Sequence, residues 1–130
     1  MYLVLDPSTT DTLGIALIDP HGSIFYSSSM RISNRSMLEQ IESVLQEQKV
    51  LVTEIKGIAV VQGVGSFSSS RLSATIAQVW GFVASIQVRS LSSWSDDQAQ
   101  ALIQLFDDTT EHANMHVLYS GDPHIGAPRI

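Results

Sequence analysis

The chain has 130 residues, 44% of them hydrophobic and 15% charged, which sets the expectation of one globular domain with a core large enough to stand without staples. It has no cysteine, which excludes disulfides and thiolate-held metal. Seven Lys and Arg against 13 Asp and Glu leave a net charge of −6, with the cations scattered along the chain. Neutralising nucleic-acid phosphates needs a cationic stripe, so any role with a nucleic acid is expected to run through a partner. No apolar run reaches the length that crosses a bilayer, and MYLVLDPSTT has no basic segment ahead of its apolar stretch. Neither a membrane span nor a signal peptide is expected, which favours the cytoplasm.

In chain order, Tyr2 to Asp6 is a short apolar run ending in a carboxylate, the pattern of a buried strand. Pro7 to Asp11 carries turn chemistry, Leu13 to Ile18 is apolar again, Asp19-Pro20-His21-Gly22 turns, and Ser23 to Ser29 supplies a third strand. Ser36-x-x-Glu39 is a capping box ahead of a helix over residues 37–48, with Leu38, Ile41 and Leu45 on one face. Gly57 to Val61 reads as a buried strand, Gly63 to Ser66 as a sharp loop, and residues 69–84 as a second helix. Gln87 to Leu91 is a fifth strand, and Ser95-Asp96-Asp97-Gln98 caps a third helix bearing Ala99, Leu102, Ile103 and Phe106 on one face. Met115 to Tyr119 fits a sixth strand, and residues 121–130 form a turn-rich tail. The order β-β-β-α-β-α-β-α predicts an α/β fold, a mixed five- to six-stranded sheet with helices on its faces. That is the layout of the ribonuclease H-like, actin-like ATPase (ASKHA) lobe.

Two segments could hold an anion. Asp6, Ser8 and Thr9 place a carboxylate beside a hydroxyl-rich hairpin, which could grip phosphate oxygens and a hydrated Mg²⁺, or simply close a tight turn. Gly63, Gly65 and Ser66 precede a helix whose first N–H groups are free for an anion, although such a glycine pair also makes an ordinary strand-to-helix turn. The helix after that loop is apolar on two sides. Leu72, Ile76, Val79, Trp80 and Val83 mark one face, and the small residues Ala74, Ala77, Gly81 and Ala84 mark another. Assigning the larger face to the sheet leaves the small one for a partner helix, and a charge placed there by Ala77→Arg or Gly81→Arg would break the contact. Burial within its own lobe is the other reading. His21, His112, His116 and His124 match no metal-ligand spacing, and no catalytic residue, metal site or cofactor is assigned.

The stretch IAVVQGVGSFSSSRLSATIAQVWGF resembles the signature of the TsaB (YeaZ) family, a strand followed by G-R-G-P-G-S-F-T-G-L-R and a helix. Gly63, Gly65, Ser66, Phe67 and Arg71 match it residue by residue, and YLVLDPSTTDTLGIAL is similar to the family's opening. The resemblance covers residues 1–95. It implies the N-terminal lobe of a noncatalytic subunit that supports a TsaD-like catalytic partner in making threonylcarbamoyladenosine in tRNA, with a TsaE-like ATPase assisting. It also implies pairing through the two helices near 37–48 and 69–84, with the partner or with a second copy. The expected interface is Leu38, Ile41, Leu45, Arg71, Ala74, Ala77, Gly81 and Ala84; tRNA is met only indirectly and no membrane is involved.

The departures from the family pattern weaken nucleotide binding. Gln62 stands where the family has Arg, Val64 where it has Pro and Ser69 where it has Gly. The lobe is assigned to residues 1–120 with no second lobe following, which removes one wall of an actin-like cleft and argues against ATP hydrolysis. Two alternatives stay open. One is a RuvC-like nuclease, whose opening strand also ends in Asp before a Thr-rich hairpin and which would draw its further carboxylates from Asp96, Asp97, Asp107 and Asp108. The other is a degenerate paralogue with an unrelated binding role.

Overall fold

The computed structural model describes residues 1–8, 11–32, 37–62 and 67–108. Among them are five strands, β1 (Tyr2–Asp6), β2 (Thr12–Ile18), β3 (Ile24–Arg31), β4 (Gly57–Val61) and β5 (Gln87–Leu91), and three helices, α1 (Met37–Glu47), α2 (Phe67–Ala84) and α3 (Ala99–Asp108). The strands form one mixed sheet in the order β3-β2-β1-β4-β5, antiparallel among β1, β2 and β3 and parallel among β1, β4 and β5. The expected elements are present in the expected order; the sixth strand at Met115 to Tyr119 lies outside the described residues.

Strand position follows from residue pattern. β1 and β4 are nearly continuous apolar runs buried on both faces, as central strands between helix layers must be. β3 instead alternates exposed and half-buried positions (FYSSSMR after Ile24), which suits the sheet edge it occupies. The β2–β3 turn is closed by Asp19, whose Oδ1 accepts the N–H of His21 at 2.9 Å and of Ser23 at 3.0 Å. Gly22 takes φ +88° there, a conformation that side chains resist.

Helices α1 and α2 cover one face of the sheet. α1 turns Met37, Ile41, Val44 and Leu45 inward and Glu39, Glu42 and Glu47 outward. It ends with Lys49 in the left-handed region (φ 60°) and the Val50 N–H on the Leu45 carbonyl at 2.8 Å. α2 ends the same way, with Ser85 at φ 59° and Ile86 N–H on the Gly81 carbonyl at 3.0 Å. Beneath the two helices lie Leu3, Leu5, Leu13, Ile15, Leu17, Ile58, Val60 and Val88, a dry aliphatic layer.

Among the described residues, the opposite face carries one helix, α3. Ala99, Leu102 and Phe106 pack on Tyr2, Val4, Ala16, Ile18 and Ala59. The Phe106 ring stacks on Tyr2 at 5.1 Å and lies directly over Gly57, where an added Cβ would come within 2.5 Å of it. Arg89 is buried on this face, its guanidinium 5.8 Å from the Phe106 ring centre and donating to the Val88 carbonyl at 3.0 Å.

Candidate functional site

Two surfaces of the fold have the character of a site. The first is a cleft of about 330 Å³ on the α3 face, lined by Asp6, Thr12, Gly14, Ser27, Trp94 and Asp96 among others. Its floor follows from strand register. Asp6 pairs with Gly14 and Gly14 with Ser29; Ala16 pairs with Ser27. Residues directly opposed across antiparallel strands share a face, so these small side chains lie side by side and the surface there is recessed. One wall is the segment after β5 that leads into α3. Ser95 begins it, with its N–H on Gln98 Oε1 at 2.6 Å and its hydroxyl on Asp97. Two bonds strap this segment to the β2–β3 hairpin: the Ser27 hydroxyl donates to Asp96 Oδ1 at 3.2 Å, and Gln100 Nε2 donates to the His21 carbonyl at 3.2 Å.

Asp6 is half-buried at the end of β1, and its Oδ1 accepts the Ser8 N–H at 3.1 Å. This is the turn-closing contact, and it fixes the carboxylate at the cleft. Thr9, Gly63, Gly65 and Ser66 lie outside the described residues. Ser27, Ser29 and Trp94 had not been singled out from sequence. The signal that could have found them is the run of small hydroxyl side chains in β3 set against Gly14 and Ala16 in β2, but it becomes legible only once the register is known.

The second surface is the outer side of the α1–α2 layer. Leu38 is 41% exposed, Val79 52%, Phe82 88% and Val83 74%. The expected interface residues divide. Leu38 and Ala84 are exposed and Arg71 is half-buried, whereas Ile41, Leu45, Ala74 and Ala77 are buried within this chain. The small face of α2 turns toward the sheet: a Cβ on Gly81 would meet Val88 Cγ2 at 2.6 Å. Ala74, Ala77 and Gly81 are small because the helix lies close on β4 and β5. The apolar residues left outward are the bulky Val79, Phe82 and Val83, while Ile76 is buried and Leu72 and Trp80 pack against the core, so the larger face named from sequence is split between core and surface. Ala77→Arg and Gly81→Arg would therefore strike the core of the lobe.

This sheet order, with two helices on one face and one on the other, defines a ribonuclease H-like, actin-like α/β lobe. No family model and no curated protein matches the chain. Among solved structures it is similar to YeaZ from Pseudomonas aeruginosa, with TM-score 0.60 and 26% identity over 71% of this chain and 43% of that one. It is likewise similar to a protein described by its likeness to the peptidase YeaZ from Pseudomonas aeruginosa, with TM-score 0.59 and 25% identity over 71% of this chain and 44% of that one. These neighbours bear out the resemblance to the TsaB (YeaZ) family. The chain spans less than half the length of the structures it matches. Among the described residues no helix is long and apolar enough to cross a membrane.

Proposed function

We propose that this chain is a noncatalytic partner subunit of the tRNA N6-threonylcarbamoyladenosine machinery, docking on a TsaD-like catalytic subunit or on a second copy of itself through the outer side of α1 and α2. The observation that supports this reading is the exposed apolar side of α2, where Val79, Phe82 and Val83 recur at helical spacing, with Leu38 also exposed on α1. Bulky apolar side chains gathered on one helix layer mark a surface that a protein covers. Glu39, Glu42 and Glu47 are exposed on α1 in the same helix layer and favour a partner with basic groups. For the RuvC-like alternative, Asp96 joins Asp6 in the lining of one cleft, but no group of three or more His, Cys, Asp or Glu able to hold a metal comes together among the described residues.

The test is size-exclusion chromatography with light scattering, of the chain alone and mixed with a TsaD-like subunit. Association is expected, and Phe82→Glu together with Val83→Glu is expected to abolish it while leaving the circular dichroism spectrum unchanged. An association that survives both changes would place the docking surface elsewhere.

A further inference from the structure

The cleft on the α3 face is independent of the helix-layer surface and carries its own chemistry. Among the described residues its lining holds two carboxylates, Asp6 and Asp96, the hydroxyl residues Thr12, Ser27 and Ser29, and Trp94, but no lysine or arginine. Both carboxylates are set in place before any ligand arrives, Asp6 by the Ser8 N–H at 3.1 Å and Asp96 by the Ser27 hydroxyl at 3.2 Å. Each carboxylate has acceptor capacity beyond one bond, because an ionised carboxylate offers about four lone-pair positions. An anion entering here meets two negative charges and, among the described residues of the lining, no compensating cation, which disfavours phosphate. A ligand rich in O–H or N–H donors meets acceptors, and a ring meets an aromatic wall. At about 330 Å³ the cleft holds one small ring system.

From this lining we propose that the cleft binds an uncharged, ring-shaped, donor-rich ligand, an unphosphorylated nucleoside or a monosaccharide. The carboxylates of Asp6 and Asp96 accept its hydroxyls, and Trp94 packs on its ring. This goes beyond the docking role above and does not depend on it. It also changes the chemistry first expected of Asp6, from a phosphate and Mg²⁺ holder to an acceptor for hydroxyls.

The chain has two tryptophans, so Trp80→Phe leaves Trp94 as the single indole reporter. Adenosine, glucose, AMP, inorganic phosphate and MnCl₂ are titrated separately into this variant while its fluorescence is followed. A saturable change with adenosine or with glucose is expected, and which of the two acts separates the nucleoside source from the sugar source. AMP is expected to bind at least about tenfold more weakly than adenosine, because its phosphate faces the two carboxylates. Asp6→Asn and Ser27→Leu should each weaken the organic ligand about tenfold, the scale of one lost charge-assisted hydrogen bond. Leu51→Ala, at an exposed position away from the cleft, should leave it unchanged. AMP binding as tightly as adenosine, a response to MnCl₂ in place of the organic ligands, insensitivity to both cleft variants, or no saturable response to either ring compound would each overturn the proposal.

Discussion

On one face of the sheet, Leu3, Leu5, Ile15, Leu17, Ile58 and Val88 lie beneath α1 and α2; on the other, Tyr2, Val4, Ala16, Ile18 and Ala59 are met, among the described residues, by α3. A helix is about 10 Å across and strands lie about 4.8 Å apart, so one helix covers about two strands and a five-stranded sheet needs two. The two-helix face is filled with bulky aliphatic residues across β2, β1 and β4, with Val88 from β5. On the α3 face the buried cluster draws on Tyr2 and Val4 of β1, Ala16 and Ile18 of β2 and Ala59 of β4. Over the Asp6 end of β2 and β3 no helix arrives among the described residues, and the chain places Gly14, Ala16, Ser27 and Ser29 there in place of bulk. The contrast separates two kinds of surface on one small lobe, since the two-helix layer exposes Val79, Phe82 and Val83 of α2 beside an acidic α1, while the α3 face leaves a polar recess.

The largest expected effect tests the completeness of the two-helix face. Ile41 is fully buried between α1 and the sheet, so Ile41→Ala should cost about 2–5 kcal/mol of stability through lost transfer energy and the cavity left behind. Urea unfolding measures it, and a loss under about 1 kcal/mol would mean that this layer is loosely packed. Next comes the single helix on the other face. Gly57→Val pushes a side chain into the Phe106 ring, which a Cβ would already approach at 2.5 Å, and should cost about 1–3 kcal/mol. Combining it with Phe106→Leu should cost less than the sum of the two changes, because both act on one contact. Strict additivity would show that α3 is not seated on Gly57. Smaller still is Phe82→Ser, at a side chain 88% exposed, which should change stability by no more than about 0.5 kcal/mol while weakening any association through the helix layer.

How much of this could be read from sequence differs between the faces for physical reasons. The strands were legible because β1 and β4 are apolar runs and the turn chemistry at Asp19 to Gly22 is local. The direction of α2 was not. A helix apolar on all sides gives no sign of which side meets the sheet, and close approach at Gly81 selected small residues where bulk had been expected. The cleft was legible only at Asp6. Its floor depends on the Gly14–Ser29 and Ala16–Ser27 pairings, and its wall on a bond from Ser27 to Asp96, 69 residues apart. Such register is set by tertiary packing, which no local pattern carries.

The smallest effect concerns the hairpin to which α3 is strapped. Asp19 is exposed, and the N–H groups of Ser23 and His21 hold its carboxyl below its ordinary value of 3.8. A carboxyl whose folded value is depressed contributes stability that is fully present above the unfolded value. That stability is lost as pH falls through the folded one. Wild type should therefore exceed Asp19→Asn in urea midpoint at neutral pH by a small margin, and the margin should close as the pH drops below 3.8. Asparagine can still accept the two N–H bonds through its carbonyl, so only the charge-assisted part is removed. A margin that stayed constant down to the acid limit would assign the difference to hairpin conformation rather than to the carboxylate. It would then follow that the Gln100–His21 strap, and not the charge at Asp19, keeps the hairpin turned toward α3.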